Sequence, residues 1–318
     1  MAINSVRARR TLALAGVAGV AAAVLSVPSP ASAHGVSIMP GSRTSLCYKD
    51  LIQNSSTQMP SNPACAQAVR QSGTTPLYNW FAVLDSNAGG RGAGYVPDGK
   101  LCSAGDRSPY NFSAYNAVRT DWPKTHLSSG ANIQLKYSNW AAHPGKFEVY
   151  LTKSGWSPAK ALAWGDLDHL QTVTNPPQSG GVGTEGGHYY WNLQLPQRSG
   201  QHMLFIQWIR SDSQENFFSC SDVVFDGGSG QVTGLAGGEK SAAEVEALGA
   251  DFKNTEADPI HAAGHANHAN HAKAAEKVAA STEESAVAVP AAVAGLGAVV
   301  FASGAMVFNR SRRAKQHG

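Results

Sequence analysis

The feature that most constrains the fold is a series of short β-type segments in the second half of the chain. Apolar residues alternate with polar ones there, or β-branched and aromatic residues cluster, and Gly, Pro, Asn and Ser separate the segments. Several short strands joined by loops predict a β-sandwich, here over residues 34–226. The segments are IQLKYS (133–138), KFEVYLT (146–152), HYYWNLQL (188–195), HMLFIQWIR (202–210) and SDVVF (221–225).

The stretch 44–126 differs from these strands. It is rich in Gly, Asn and Ser, with short helical patterns near 63–71 and 113–119. We therefore expect a long loop and helix insertion in the sandwich.

The cysteines predict how this insertion is held. An even number of cysteines in an exported chain favours disulfides, and four cysteines allow three connectivities. We favour Cys47–Cys65 with Cys102–Cys220, because the first pair is local and leaves the long-range pair to hold a loop against the sheet. No C-x-x-C spacing occurs, which argues against a metal site made of cysteine alone.

The first 33 residues have the pattern of an export signal. Three arginines among residues 7–10 precede an apolar stretch at 12–27 and the small-residue motif ASA at 31–33. The apolar stretch is short for a membrane span, which disfavours a retained anchor. The RRTLAL sequence permits twin-arginine export, and general secretion fits as well. Cleavage after Ala33 would make His34 the first residue of an exported protein.

The composition changes after Asp226. Residues 227–285 are rich in Gly, Ala and His and predict a flexible linker. The uncharged, mostly apolar stretch 286–308 is long enough for a transmembrane anchor, and the basic tail 309–318 would then lie in the cytoplasm. No L-P-x-T-G-like sequence precedes this stretch, which favours an anchor over a cleaved sorting tail. We expect the sandwich to be tethered to the outer face of the membrane.

The charge distribution bears on possible partners. The formal net charge is +3, and residues 34–226 contain no basic run, so nothing in them suggests nucleic-acid binding. A charged fraction of 15%, together with 7 Trp and 9 Tyr, suits a β-rich surface that meets neutral polymers.

A histidine at a mature N-terminus offers two nitrogen donors. Its α-amine has an ordinary pKa of about 7.7–8.0 and its ring of about 6.5, so a metal displaces protons from both near neutral pH. A second imidazole completes a T-shaped arrangement that suits Cu(II). We favour His143, because it precedes a strand and its neighbours Ala141 and Ala142 leave room for a ligand, although most loop histidines are simply surface residues. The alternatives are His126, His169, His188 and His202.

Three segments resemble the bacterial lytic polysaccharide monooxygenases of auxiliary activity family ten. They are HGVSIMPGSR (34–43), YSNWAAHPGKFEVYLTK (137–153) and WIRSDSQENFFSCSDVVF (208–225). The loop 77–110 resembles the cellulose-oxidising actinobacterial branch. The resemblance implies an immunoglobulin- or fibronectin III-like β-sandwich with one copper ion, held by the amine and ring of His34 and by His143. An external electron donor and O₂ or hydrogen peroxide would be co-substrates.

The resemblance also implies roles beside the metal. Phe217 corresponds to an aromatic residue that blocks the axial copper position, and strand alternation should turn Phe218 to the opposite face. Glu215 corresponds to an acid that positions the oxidant or handles protons, and Arg210 to its partner. Without the resemblance, Phe217 could be an ordinary core residue, and Glu215 and Arg210 an exposed ion pair of little energetic weight.

A flat face for crystalline polysaccharide is implied as well. Aromatic rings suit the apolar faces of sugar rings, and Phe81 favours oxidation at C1 by resemblance. We expect a monomeric enzyme that cleaves cellulose or a cellulose-like β-1,4-glucan; a chitin-active enzyme and a non-catalytic carbohydrate- or copper-binding surface protein are the alternatives. The expected substrate contacts are Tyr78, Asn79, Phe81, Tyr110 and Trp140.

The predicted linker contains a histidine repeat, HAAGHANHANHA, at 261–272. Such a repeat could gather copper for the enzyme, or it could be a low-complexity spacer. The sequence does not decide between the two.

Overall fold

The computed structural model describes residues 33–54 and 56–248. This part of the chain is built mainly from two β-sheets, as the strand pattern predicts. The strands are β1 (Ser37–Met39), β2 (Leu84–Asp85), β3 (Lys124–Leu127), β4 (Asn132–Ser138), β5 (Gly145–Thr152), β6 (Leu167–Thr174), β7 (Gln178–Ser179), β8 (His188–Gln194), β9 (Gly200–Arg210), β10 (Asn216–Phe225) and β11 (Ser229–Thr233).

The helical elements are fewer and shorter. The α-helices are α1 (Arg43–Gln53), α2 (Pro63–Ser72), α3 (Thr75–Tyr78) and α4 (Ala242–Ala247). Short 3₁₀ segments cover Leu101–Asp106, Ser113–Asn116 and Trp164–Asp166, and the first is kinked at residues 103–105. The helix expected near 63–71 is confirmed, whereas only a 3₁₀ turn forms in the region 113–119.

The two sheets have different sizes and strand orders. The smaller has the order β1-β4-β8-β7, and the larger β11-β3-β10-β9-β5-β6, with β2 added to β10. Pairing is antiparallel except between β3 and β10. The strands β4, β5, β8 and β9 confirm the predicted segments. The last predicted strand is longer than expected, because β10 pairs with β9 from Asn216 to Phe225.

Aromatic side chains join the two sheets. Phe147 of β5 stacks on Trp208 of β9 with ring centroids 5.4 Å apart, and Tyr137 of β4 meets Phe147 edge-on at 5.0 Å. All three are fully buried. Such offset and edge-to-face contacts add to the stability that burial of the rings supplies. The packing gives the strand ends a rigid base from which site residues project.

Both predicted disulfides are present. Cys47–Cys65 joins α1 to α2, and Cys102–Cys220 ties the first 3₁₀ segment to β10. The insertion is therefore anchored to a central strand of the larger sheet. Asn62 caps α2 by accepting hydrogen bonds from the amides of residues 64 and 65, and Pro63 at the first helical position suits the helix start.

The predicted domain boundary at residue 226 is wrong. β11 pairs with β3, and α4 begins with a capping box between Ser241 and Glu244. Three apolar side chains of this segment form a buried cluster with Leu46, which lies on α1. The folded region therefore extends to Leu248, and a flexible linker cannot begin at 227. The three side chains are Val232, Leu235 and Val245.

Several predicted segments lie outside the described residues. These are the leader up to residue 32, the rest of the linker with its histidine repeat, the span 286–308 and the tail 309–318. Across residues 33–54 and 56–248, no helix has the length and apolar character needed to cross a membrane.

Candidate metal centre

The backbone around His34 forms a short bridge with the loop before β5. The His34 amide donates to the carbonyl of Ala141 at 3.3 Å, and the Ala141 amide donates to the His34 carbonyl at 3.1 Å. Since His143 follows Ala141 by two residues, the bridge brings both predicted ligands to one edge of the sandwich. The segment is fixed further by Gly35, whose amide donates to the Phe81 carbonyl at 3.0 Å.

Glycine is required at position 35 by a close backbone approach. A Cβ atom there would lie 2.2 Å from the carbonyl oxygen of Ser138. The sequence His-Gly therefore lets the start of the predicted mature chain lie directly against β4.

His143 is held at its backbone and at its ring. Its amide donates to the hydroxyl of Tyr189 at 2.7 Å, and that hydroxyl donates to the His143 carbonyl at 2.9 Å. Burial raises the pKa of Tyr189 well above its usual value, so the hydroxyl keeps its proton. On the ring, Nδ1 lies 2.8 Å from the Asp212 carboxylate and 2.8 Å from Nη2 of Arg210.

The His143 ring nitrogen Nδ1 lies between an acceptor and a donor. Partial burial would raise the pKa of the Asp212 carboxyl, but hydrogen bonds and positive charge from Arg210 and His143 lower it to about 2. The ionised carboxylate accepts hydrogen bonds and the Arg210 guanidinium only donates them, so together they orient the ring through Nδ1. Nε2 of His143 is then the ring nitrogen left for a metal, an arrangement common to metal-binding histidines.

Arg210 also fixes the predicted acid. Its guanidinium donates to Asp212 at 2.8 Å through Nε and to Glu215 through Nη1. The side chain of Arg210 is only 2% exposed, so the alternative of an exposed ion pair does not hold. The carboxylate of Glu215 also accepts a hydrogen bond from the amide of Ala33 at 3.2 Å. The acid therefore lies beside the predicted cleavage point.

The two phenylalanines of β10 face opposite sides, as predicted. The ring of Phe217 meets the ring of His34 edge-on at 6.4 Å and packs on Trp208 at 5.0 Å. Phe218 instead stacks against Phe205, with centroids 6.4 Å apart. Both phenylalanines are fully buried. Phe217 is thus the one of the pair that closes a side of His34.

The predicted substrate face is only partly exposed. Tyr110 and Trp140 are half-buried. Tyr78 is 5% exposed, and Asn79 and Phe81 are fully buried, so their role as substrate contacts stays a prediction. Phe81 is buried because its ring meets the His34 ring edge-on at 5.1 Å and stacks on the Trp140 ring at 4.7 Å.

The other candidate histidines have partners away from His34. One bonds to a backbone carbonyl and three bond to side chains of neighbouring strands. The contacts are His126 with Asp226 and Thr233, His169 with Glu148, His188 with the Gly186 carbonyl, and His202 with Thr152. These contacts support the choice of His143.

The donors at this edge fit copper. In residues 33–54 and 56–248, no group of three His, Cys, Asp or Glu side chains is arranged to hold a metal. His34 and His143 would supply two imidazole nitrogens to a metal here. The free amine that cleavage before His34 would create supplies a third donor, and two imidazoles with an amine match the nitrogen preference of Cu(II).

Two residues of this centre escaped the sequence analysis. Asp212 stands two positions after Arg210 in the segment RSDSQE, and that spacing was its only signal. Tyr189 lies in a strand pattern with no chemical signal, because its role depends on the packing of β8 beside the His143 loop.

Comparison with known proteins agrees with this geometry. The family described as "Lytic polysaccharide mono-oxygenase, cellulose-degrading" matches residues 34–223. A "Lytic cellulose monooxygenase" of Streptomyces ambofaciens is 67% identical over 208 residues, which cover 65% of this chain and 57% of the relative. "Chitin-binding protein CbpD" of Pseudomonas aeruginosa is 39% identical over 209 residues, covering 64% and 50%. The match thus spans little more than half of these relatives.

Solved structures give the same fold. The structure of "cellulose active LPMO CelS2 (ScLPMO10C) in complex with Copper" is 71% identical, with a TM-score of 0.60, and the match covers 61% of this chain and all of that one. "ScLPMO10B in complex with zinc" is 29% identical, with a TM-score of 0.51 and the same coverage.

The family match includes the bridge at His34, the loop of His143 and the Arg210–Glu215 pair. It also covers more than half of the chain. The chain therefore belongs to the lytic polysaccharide mono-oxygenase family.

Proposed function

We propose that this chain is a copper-dependent monooxygenase that cleaves cellulose or a cellulose-like β-1,4-glucan by oxidation at C1. The observation that carries the proposal is the backbone bridge between His34 and Ala141, because it sets a new N-terminus beside His143. The substrate follows from the relatives, one named for lytic cellulose oxidation and another described as cellulose active. Oxidation at C1 rests on the family resemblance at Phe81.

Copper, when bound, supplies the one-electron and oxygen chemistry that hydroxylates a sugar C–H bond, with an external electron donor and O₂ or hydrogen peroxide as co-substrate. His34, through its amine and ring, and His143, through Nε2, would hold it. Asp212 keeps the His143 ring oriented, and Tyr189 fixes the backbone beneath it. Hydroxylation at C1 is followed by elimination of the neighbouring sugar as an alcohol, which leaves a lactone, and water opens the lactone to an aldonic acid.

The remaining residues would handle protons at the metal, exclude water from it and contact the polysaccharide. Glu215 holds or passes a proton at its carboxylate, and Arg210 keeps that carboxylate beside the N-terminus. Phe217 excludes water from one side of His34. Tyr110 and Trp140 offer partly exposed rings to a polysaccharide surface, and the family resemblance gives Tyr78, Asn79 and Phe81 the same role.

The sequence supports a location outside the cell membrane. The leader ending at Ala33 would direct export, and 286–308 would anchor the chain with 309–318 in the cytoplasm. The linker between the folded region and the anchor then follows α4. A tether of this kind keeps a monomeric enzyme near crystalline polysaccharide without a separate binding module.

The test is to produce the chain with its own leader and measure the mass of the mature protein and its copper content. We expect an N-terminus at His34, one copper ion per chain, and aldonic-acid oligosaccharides from cellulose when a reductant is added. A matched chain that retains Ala33 should lose most of its copper affinity, because its amide cannot replace the amine. A mature copper-loaded protein that releases no oxidised product would favour a non-catalytic carbohydrate- or copper-binding role.

Chitin is the second candidate substrate, since a relative named as chitin-binding is 39% identical. The same assay with chitin in place of cellulose separates the two. Oxidised products from chitin alone would overturn the cellulose assignment and leave the reaction class intact.

A further inference from the structure

A cavity of about 90 Å³ lies between α4 and the smaller sheet, and it shares no residue with the metal centre. Its apolar wall includes Met39, Val232 and Val245, and its charged wall includes Lys49 and Glu185. Val232 and Val245 come from the segment that follows the family match at 34–223. The cavity is therefore built partly from a region that the family comparison does not cover.

Glu185 is the unusual group in this cavity. Its side chain is 9% exposed, and neither carboxylate oxygen has a hydrogen bond of normal geometry among the described residues, although the Tyr48 hydroxyl and the Lys49 ammonium lie near enough to interact with it. The nearest cation, Nζ of Lys49, lies 3.8 Å away, which is too far for a hydrogen bond. A buried carboxylate whose two neighbours make no hydrogen bond of normal geometry is poorly compensated, so a further donor in the cavity would stabilise it.

Lys49 restricts what that donor can be. Its side chain is 6% exposed, and Nζ donates one hydrogen bond, 2.5 Å long, to the carbonyl of Leu248. Burial lowers the pKa of Lys49 and raises that of Glu185, so both charges are poorly solvated. A cationic ligand would be repelled by Lys49 and an anionic ligand by Glu185. A hydroxyl group suits both, because it accepts from an ammonium and donates to a carboxylate at the same time.

We propose that this cavity is a binding site for a small aliphatic alcohol or polyol, whose hydroxyl lies between Lys49 and Glu185 and whose carbon atoms pack on Met39, Val232 and Val245. An apolar cavity of about 150 Å³ accommodates benzene, so the smaller volume here suits about three to five non-hydrogen atoms. Propanol, propane-1,2-diol and glycerol have this size.

The surface end of the cavity has a simple entry. Lys136 and Glu246, which line the cavity, form an ion pair of 2.8 Å with side chains 23% and 44% exposed. We infer that a ligand enters past this ion pair, because both side chains are partly exposed. A bound alcohol contacts α4, so occupancy stabilises the docked position of this helix by mass action.

The test is a titration of the mature, copper-loaded protein with propane-1,2-diol, followed by NMR of the Met39, Val232 and Val245 methyl groups. We expect saturable one-site shifts confined to these methyls. Glu185→Leu should weaken binding at least tenfold, and Glu185→Gln should weaken it while keeping the side-chain size. Glu239→Gln removes the same charge from an exposed loop residue outside the cavity and should leave binding unchanged.

A crystal soaked in the diol provides an independent readout. Electron density for the diol between Lys49 and Glu185 is expected. Ordered water alone in the cavity, absence of saturable shifts, or equal binding by Glu185→Gln and Glu239→Gln would overturn the proposal. If Glu185→Leu does not fold, Glu185→Gln and the soaked crystal still decide the question.

Discussion

At the scale of single residues, His143 is positioned by contacts that leave only one of its ring nitrogens for a metal. Tyr189 fixes the backbone, and Asp212 and Arg210 both contact Nδ1. An imidazole aligned in this way loses little freedom when it binds a metal, and the carboxylate makes it a stronger ligand. The same geometry explains why Arg210 is buried, since its charge balances both Asp212 and Glu215.

Asp212→Asn should lower copper affinity about 10–100-fold, because a neutral amide neither orients the ring nor increases its basicity as a carboxylate does. The measurement is a competition titration of the mature protein against a copper chelator of known affinity. Asp168→Asn is the matched control. Asp168 lies on β6, where its carboxylate pairs with Arg198, and it has no contact with His143. Equal affinities for the two variants would contradict the proposed role of Asp212.

Gly35→Ala should destabilise the folded region by about 3 kcal/mol, the upper part of the usual range for overpacking. The new methyl group would meet the Ser138 carbonyl at 2.2 Å, and a backbone oxygen cannot move aside as a side chain can. Chemical denaturation of the mature protein measures the change. Gly165→Ala is the control, because a Cβ there has open space around it and should leave stability nearly unchanged.

Some site residues could be predicted from the sequence and others could not, and the difference has a physical cause. The first group could be predicted because its members lie in short, contiguous motifs. These residues are His34, His143, Glu215 and Phe217. Tyr189 acts only because β8 lies beside the His143 loop, and local sequence holds no record of that contact. Local sequence holds no record of the burial of a side chain either, because burial depends on what packs over that side chain.

At the scale of elements, periodic patterns predicted the strands well and composition misled at one boundary. β4, β5, β8 and β9 alternate or are rich in β-branched and aromatic residues, and these patterns survive in the fold. The segment after Asp226 is so rich in Gly and Ala that it resembles a linker. Its few apolar side chains nevertheless find a partner surface on α1, which the sequence pattern alone could not reveal.

Truncation at Asp226 tests whether residues 227–248 belong to the folded region or act as a linker. A mature chain ending at Asp226 should unfold at a lower temperature than one ending at Leu248, because it exposes Leu46 and loses the strand β11. Leu235→Ala in the longer chain should cost about 2–4 kcal/mol through the lost burial and the cavity left behind. Calorimetry of the two chains measures the difference. Identical unfolding temperatures would mean that 227–248 adds nothing to the fold.

At the scale of the whole molecule, the metal centre is assembled from distant parts of the chain that the disulfides and sheets hold together. His34 begins the predicted mature chain, His143 lies before β5, and Glu215 precedes β10. β2 from the insertion pairs with Asn216 and Phe217 of β10. Cys102–Cys220 fixes the insertion to the same strand, so it couples the insertion to the site.

The two disulfides should therefore contribute different amounts to the stability of the folded region. Their sequence separations are 118 for Cys102–Cys220 and 18 for Cys47–Cys65. Loop-closure entropy predicts that the longer loop adds about 1.7 kcal/mol more stability than the shorter one, on a typical total of about 2–5 kcal/mol. Replacing both cysteines of each pair by alanine and measuring chemical denaturation tests this order. Copper affinity should also fall further when the long-range pair is removed, because β10 then carries Phe217 on a less constrained strand. A larger loss from the Cys47–Cys65 pair would show that contacts between α1 and α2, and not chain topology, dominate stability in the insertion.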